Sequence, residues 1–157
     1  MSKHKPVWFI AAASSGFGHE IALAALKRGH TVVATARKLE RVKDLAEAGA
    51  DILALDVTSS LSTIESVAAE VFEKHGRVDY LVIAAGFILE GAVEEVSRQE
   101  IYDSFNTNVF GTVSTIGAFL PLIRAQPVAP NGVRCTIVTF GSLGEAGEVA
   151  PAFPSMP

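Results

Sequence analysis

Cysteine is nearly absent: Cys135 stands alone in 157 residues, so no intramolecular disulfide can form and packing has to hold the fold. That suits a reducing, cytoplasmic setting. Positive charge is not in excess, since 13 Lys and Arg against 17 Asp and Glu leave a net charge of −4. No basic stripe is therefore available to hold nucleic acid or to dock on an anionic membrane surface. His, Cys, Asp and Glu nowhere fall at metal-ligand spacing, so no metal site is expected. Internal repeats and low-complexity stretches are also missing, which excludes a solenoid. Lys3-His4-Lys5 ahead of the apolar residues 7–13 imitates a secretory leader. The run is short and passes straight into a glycine turn, so it reads as a first strand instead.

Apolar content is ample: 49% of residues are hydrophobic, enough for one domain with a sizeable core. Strand and helix patterns alternate along the chain, which predicts a parallel sheet with helices on both faces and right-handed crossovers. Val7-Trp8-Phe9-Ile10-Ala11 has strand length, and apolar residues from Glu20 to Leu26 recur at helical spacing. Between them lies Ala12-Ala13-Ser14-Ser15-Gly16-Phe17-Gly18. A glycine turn between strand and helix opens many nucleotide-binding units, because the backbone can approach a pyrophosphate and the helix N-terminus offers free N–H groups.

Downstream, residues 31–36 are β-branched and predict the second strand, with Gly29 closing the first helix. A helix is expected over 38–48, and a third strand over 52–55. Ser62-Thr63-Ile64-Glu65 has capping-box spacing at the start of a helix that reaches Lys74 and closes at Gly76. The fourth strand is expected over 79–84. Ser97 and Glu100 form a second capping box, opening a long helix past Asn108 towards Pro121 and Arg124, and 133–140 reads as the fifth strand.

These landmarks together resemble the short-chain dehydrogenase/reductase family over about residues 6 to 144. That family's Thr-Gly-x-x-x-Gly-x-Gly motif is matched by Gly16 and Gly18, with Ala11 and Ala12 at the Thr and first-Gly positions. Asp56-Val57 resembles its adenine-contacting aspartate. Leu81-Val82-Ile83-Ala84-Ala85-Gly86 occupies the Asn-Asn-Ala-Gly place, keeping Ala85 and Gly86 and losing both asparagines. Asn108 looks like the asparagine of the central helix, and Ser142 like the catalytic serine. The resemblance implies an α/β, Rossmann-like doubly wound sheet of about five strands in the order 3-2-1-4-5. Residues 1–144 would form that domain and 145–157 a Pro-rich tail.

If NADP(H) binds, the resemblance places it against Ser14, Ser15, Gly16, Phe17, Gly18, Arg37, Asp56, Val57, Ala85 and Gly86. Arg37 follows the second strand, where an acid would bind the ribose hydroxyls of NAD and a basic residue favours the 2′-phosphate of NADP. The plain alternative is a solvated arginine among Lys38, Arg41 and Lys43. Ala12 puts a methyl where the turn asks for positive φ or close phosphate approach.

The family's Tyr-x-x-x-Lys motif, which moves the substrate proton and holds the nicotinamide ribose, should follow Ser142 by roughly a dozen residues. The stretch 144–157 contains neither Tyr nor Lys. Tyr80 lies in a strand and Tyr102 in a helix, so the chain reads as a C-terminally truncated member with an alternative ending. Ile83 and Ala84 are expected to make the cleft apolar. His19, at a helix N-terminus, is expected to have a lowered pKa, serving as a base or phosphate contact or simply as a surface histidine. Asn108 has a structural alternative, and Ser142 a turn alternative. Glu145 and Glu148 either supply a carboxylate to the cleft or belong to a solvated tail.

Three functions follow. The preferred one is non-redox chemistry of isomerase, dehydratase or cyclase type on a hydrophobic small molecule, with Ser142, Asn108, His19 and Tyr102 as candidate proton-moving groups. A non-catalytic binding subunit is the alternative. An NADP-dependent oxidoreductase completed by a neighbouring subunit ranks third. The uncovered face of the long helix, with Val109, Val113, Ile116, Phe119 and Leu120, together with an edge fifth strand, predicts a homo-oligomer.

Overall fold

A computed structural model describes residues 5–141. Its sheet is parallel throughout and contains β1 (Val7–Ala11), β2 (Thr31–Ala36), β3 (Asp51–Ala54), β4 (Tyr80–Ile83) and β5 (Thr136–Thr139). The order is β3-β2-β1-β4-β5, as the family resemblance implies. β5 is an edge among the described residues. Parallel pairing needs crossovers, and each one here is helical: α1 (Gly16–Lys27), α2 (Lys43–Glu47) after a 3₁₀ turn (Leu39–Val42), α3 (Leu61–His75), and the long segment before β5.

Successive strand residues face opposite sides, so the two cores are read from alternate positions. Phe9, Val33 and Leu81 pack with Ile64, Val71 and Phe119 on the side of α3 and the long helix. Ile10, Ala34 and Val82 pack with Ala22, Ala25 and Leu45 on the side of α1 and α2. Phe119 is fully buried, with its ring 4.4 Å from that of Phe9.

Several boundaries differ from the sequence reading. Ser60 caps α3, not Ser62: its extended backbone places Oγ to accept the Thr63 N–H at 3.3 Å, while Ser62 lies inside the first turn. The helix expected over 38–48 is a 3₁₀ turn running into a short α-helix. β4 and β5 are shorter than their apolar runs, because β5 pairs with β4 only from Thr136 to Thr139. The Ser97 capping box is present, with the Glu100 carboxylate accepting from the Ser97 N–H at 2.8 Å.

The long helix is three pieces: α4 (Arg98–Phe105), a π-helical stretch (Asn106–Gly111) and α5 (Thr112–Ala125). It is long and apolar enough to cross a membrane by length and composition alone. Thr115, Ala118, Phe119 and Ile123 of α5 are buried on its inner side, where α5 packs against the core. Of the residues expected to lack cover, Val109 and Val113 are exposed, Ile116 and Leu120 half-buried and Phe119 fully buried. The domain boundary near 144 and the tail 145–157 lie outside the described residues.

Candidate functional site

The carboxyl ends of β1 to β4 open onto a cleft of about 360 Å³. Its walls come from four connections: Ala12, Ser14 and Ser15 after β1; Ala36, Arg37 and Arg41 after β2; Leu55 to Thr58 after β3; and Ala84 to Phe87 after β4, with Thr107 from the π-helical stretch. Crevices at this end of a doubly wound sheet, where crossovers diverge to both faces, are where ligands bind.

The turn after β1 is under visible strain. Ala12 has φ of 63°, and it is the sole non-glycine residue with positive φ among those described. A side chain costs about 1–2 kcal/mol in that region. Gly16, with φ of 58°, takes the second left-handed position without that cost. Ala12→Gly is expected to raise the melting temperature by about 2–4 °C, following from roughly 1 kcal/mol of relieved strain, and thermal unfolding followed by circular dichroism checks it.

Gly18 acts through closeness. A Cβ there would sit 2.6 Å from the Ala12 carbonyl oxygen and 3.1 Å from Ala84 Cβ, so only glycine lets α1 begin this near β1 and β4. Ser15 is the N-terminal cap residue, but its side chain makes no capping bond, which leaves first-turn N–H groups of α1 free of a side-chain cap.

Arg37 lies directly beyond β2, and the 3₁₀ turn brings Arg41 into the same wall. At the next wall Asp56 accepts from the Thr58 N–H at 2.9 Å and the Thr58 hydroxyl at 2.7 Å, fixing its carboxylate at the cleft edge. The far wall is pinned by Asn108. Its Oδ1 accepts from the Phe87 N–H at 3.0 Å and its Nδ2 donates to the Phe87 carbonyl at 2.9 Å, so one amide satisfies both backbone groups of Phe87. Asn108 is only partly buried, and this pair of bonds ties the connection after β4 to the π-helical stretch. Gly111, one turn on, lets this helix approach Val57, whose Cγ2 would be 2.8 Å from an added Cβ.

Other expected site residues lie elsewhere. Gly16, Phe17 and Gly18 shape the loop without lining the cleft. Phe17 instead stacks on Phe140 across the end of β4, with ring centroids 5.4 Å apart and planes within 5°. Ile83 does not line the cleft, because strand alternation turns it into the core; Ala84 does line it, in walls where Ser, Thr, Asp and Arg side chains alternate with apolar residues. Tyr102 is exposed on α4 and does not line the cleft, while Tyr80 stacks on Trp8 at 3.9 Å. Ser142, Glu145 and Glu148 lie outside the described residues.

His19 corrects the sequence reading in sign. Its Nε2 is 2.6 Å from Asp44 Oδ2, and this hydrogen bond raises its pKa above the ordinary value instead of the helix dipole lowering it. It faces α2 and does not line the cleft. Cys135 is half-buried, and desolvation pushes its thiol up to about 11, so it is protonated and unreactive at neutral pH. No cluster of metal-ligating side chains occurs among the described residues.

The sheet order, glycine turn and cleft define a Rossmann-like α/β unit. The sequence pattern described as short chain dehydrogenase matches residues 6–150. An oxidoreductase of Passalora fulva, claN, is 39% identical over 123 residues, covering 76% of this chain and 56% of its own. A short-chain dehydrogenase from Streptomyces avermitilis superposes with a TM-score of 0.74 at 44% identity, over 78% of this chain and 46% of that one. Actinorhodin polyketide ketoreductase, solved with NADPH, superposes with a TM-score of 0.69 at 35% identity, over 75% and 47%. The chain belongs to the short-chain dehydrogenase/reductase family. It spans about half the length of the curated relatives it matches.

Proposed function

We propose that the chain binds NADP(H) in this cleft and takes part in the oxidoreductase chemistry of its family. The observation that carries the reading is the pairing of Arg37 with Arg41 in one wall, at the place where a ribose 2′-phosphate is recognised. Asp56 would face the adenine side, and the α1 N-terminus the pyrophosphate. When bound, the nicotinamide supplies or accepts hydride. The polar lining fits such a cofactor better than it fits an apolar occupant.

Hydride transfer to a carbonyl also requires a proton donor at the substrate oxygen. Among the described residues neither tyrosine lies in the cleft wall. In this reading the donor comes from outside residues 5–141, a neighbouring subunit being one source. The same observation favours the second reading, non-redox chemistry or binding alone, in which NADPH is held without turnover. A hydrophobic substrate has a surface to lie on, since Phe17 and Phe140 present stacked, exposed rings at the end of β5.

Melting temperature tests the preference for NADPH over NADH that both readings share. At a concentration of about 100 Kd, NADPH should stabilise the fold by about 2.7 kcal/mol, raising the melting temperature by several degrees. NADH at equal concentration should do far less. Equal shifts with the two cofactors would remove the phosphate site.

Self-association is part of the proposal. Ile101, Phe105, Val109 and Val113 recur every four residues on the outer face of the long helix and are 42%, 55%, 43% and 63% exposed. Such a stripe is normally covered. Phe105→Glu combined with Val113→Glu is expected to convert the oligomer to monomer by light scattering, with the helical signal retained.

A further inference from the structure

The residues that recognise the nucleotide sit on two elements that must stay in register: the loop opening α1, and the 3₁₀ turn and α2 that carry Arg41. Buried Val42 and Leu45 anchor the inner side of the second element against Ala22 and Ala25 of α1. Among the described residues, one side-chain hydrogen bond ties its outer side to α1. His19, in the first turn of α1, meets Asp44, three residues beyond Arg41, at 2.6 Å, an approach shorter than most nitrogen–oxygen hydrogen bonds.

We propose that His19 and Asp44 are positioning residues for the cofactor's 2′-phosphate, their contact holding the Arg41 segment against the helix that opens the phosphate loop. This rests on the NADP(H) reading above. The groups facing His19 are few. β1 and β2, which also pack on α1, carry no titratable side chain, and the charged partners of His19 among the described residues are Asp44 and Glu20, the latter at 3.5 Å. Both carboxylates favour the imidazolium.

The sign follows. Because folding raises the His19 pKa above 6.5, the charged contact is complete below that pH and is lost as pH rises through the folded value. Positive charge on His19, in the first turn of α1, would also act on a pyrophosphate at that helix N-terminus, a group NADH and NADPH share, so a field effect would change the two affinities alike. A positioning effect through Arg41 changes NADPH alone. The ratio of the two dissociation constants therefore isolates it.

The test is calorimetric titration of NADPH and NADH between pH 6.5 and 9 on the unaltered chain, His19→Arg and Asp44→Asn, each first shown folded by circular dichroism. In the unaltered chain the preference for NADPH should fall by about threefold to fivefold across this range, the fold-change an exposed ion pair can supply. His19→Arg, which keeps the cation at every pH, should keep the preference and flatten its profile. Asp44→Asn should show the low preference throughout. A pH profile identical in the unaltered chain and His19→Arg, or an undiminished preference in Asp44→Asn, overturns the positioning role while leaving the NADP(H) reading intact. Failure of the unaltered chain to bind NADPH overturns both.

Discussion

Gly18→Ala is expected to be the most damaging single-methyl change in the chain. The new Cβ would lie 2.6 Å from the Ala12 carbonyl oxygen and 3.2 Å from Ala13 Cα, and both are backbone atoms that no rotamer change can move aside. α1 would have to withdraw from β1 and β4. Overpacking of this kind costs about 1–3 kcal/mol, and here it acts on a turn already strained at Ala12. We expect a melting temperature lower by about 5–10 °C and loss of NADPH binding, because the helix N-terminus leaves the cleft. Gly16→Ala serves as the contrast. It meets nothing within 4 Å and should show only the cost of its positive φ.

Reversing the charge of the phosphate wall gives the second large effect. Arg37→Glu combined with Arg41→Glu removes two charge-assisted contacts, each worth about 1.5–3 kcal/mol, and adds repulsion. NADPH affinity should fall about 100-fold or more, since 1.4 kcal/mol corresponds to tenfold. NADH affinity should change by only a few fold. Both arginines are exposed, so the fold should tolerate the change, and an unaltered melting temperature would confirm that the loss is local. Fluorescence titration with each cofactor reads the two affinities.

How much of this was legible before the structure depends on whether the signal was local. β1 and β2 are largely apolar on both faces because helices cover both sides of a parallel sheet; β2 read as a strand from its β-branched residues, while the run at β1 also imitated a secretory leader and its short length and the glycine turn after it decided for a strand. The strand order came from the family resemblance, since the alternation of elements implied only a parallel sheet with helices on both faces. The need for positive φ at Ala12 was legible from the glycine pattern, since a residue standing at a family glycine inherits that glycine's backbone.

What sequence reasoning missed depended on three-dimensional approach. Arg41 enters the cleft because a tight 3₁₀ turn, not an α-helix, follows β2, and the choice between those turns is made by how Val42 and Leu45 reach the core. Phe87 and Thr107 reach the wall through the Asn108 contact, across 21 residues of sequence. His19 and Asp44 are 25 residues apart, so the reversal of the His19 shift had no local sign. Ile83 was misjudged for a reason that was available: period-two alternation from Leu81 already assigns Ile83 to the α3 face of the sheet. Ser60 and Ser62 were confused because both precede the apolar period, and only the extended backbone at Ser60 distinguishes the cap.

The claim on which the rest depends is that the cleft at the carboxyl ends of β1 to β4 is an NADP(H) site. Isothermal calorimetry of the purified chain with NADPH tests it most directly. One nucleotide per chain should bind at micromolar affinity, with NADH weaker by at least an order of magnitude. An absence of heat and of competition at millimolar NADPH would contradict it, and the cleft would then have to be assigned to a ligand without a nicotinamide nucleotide.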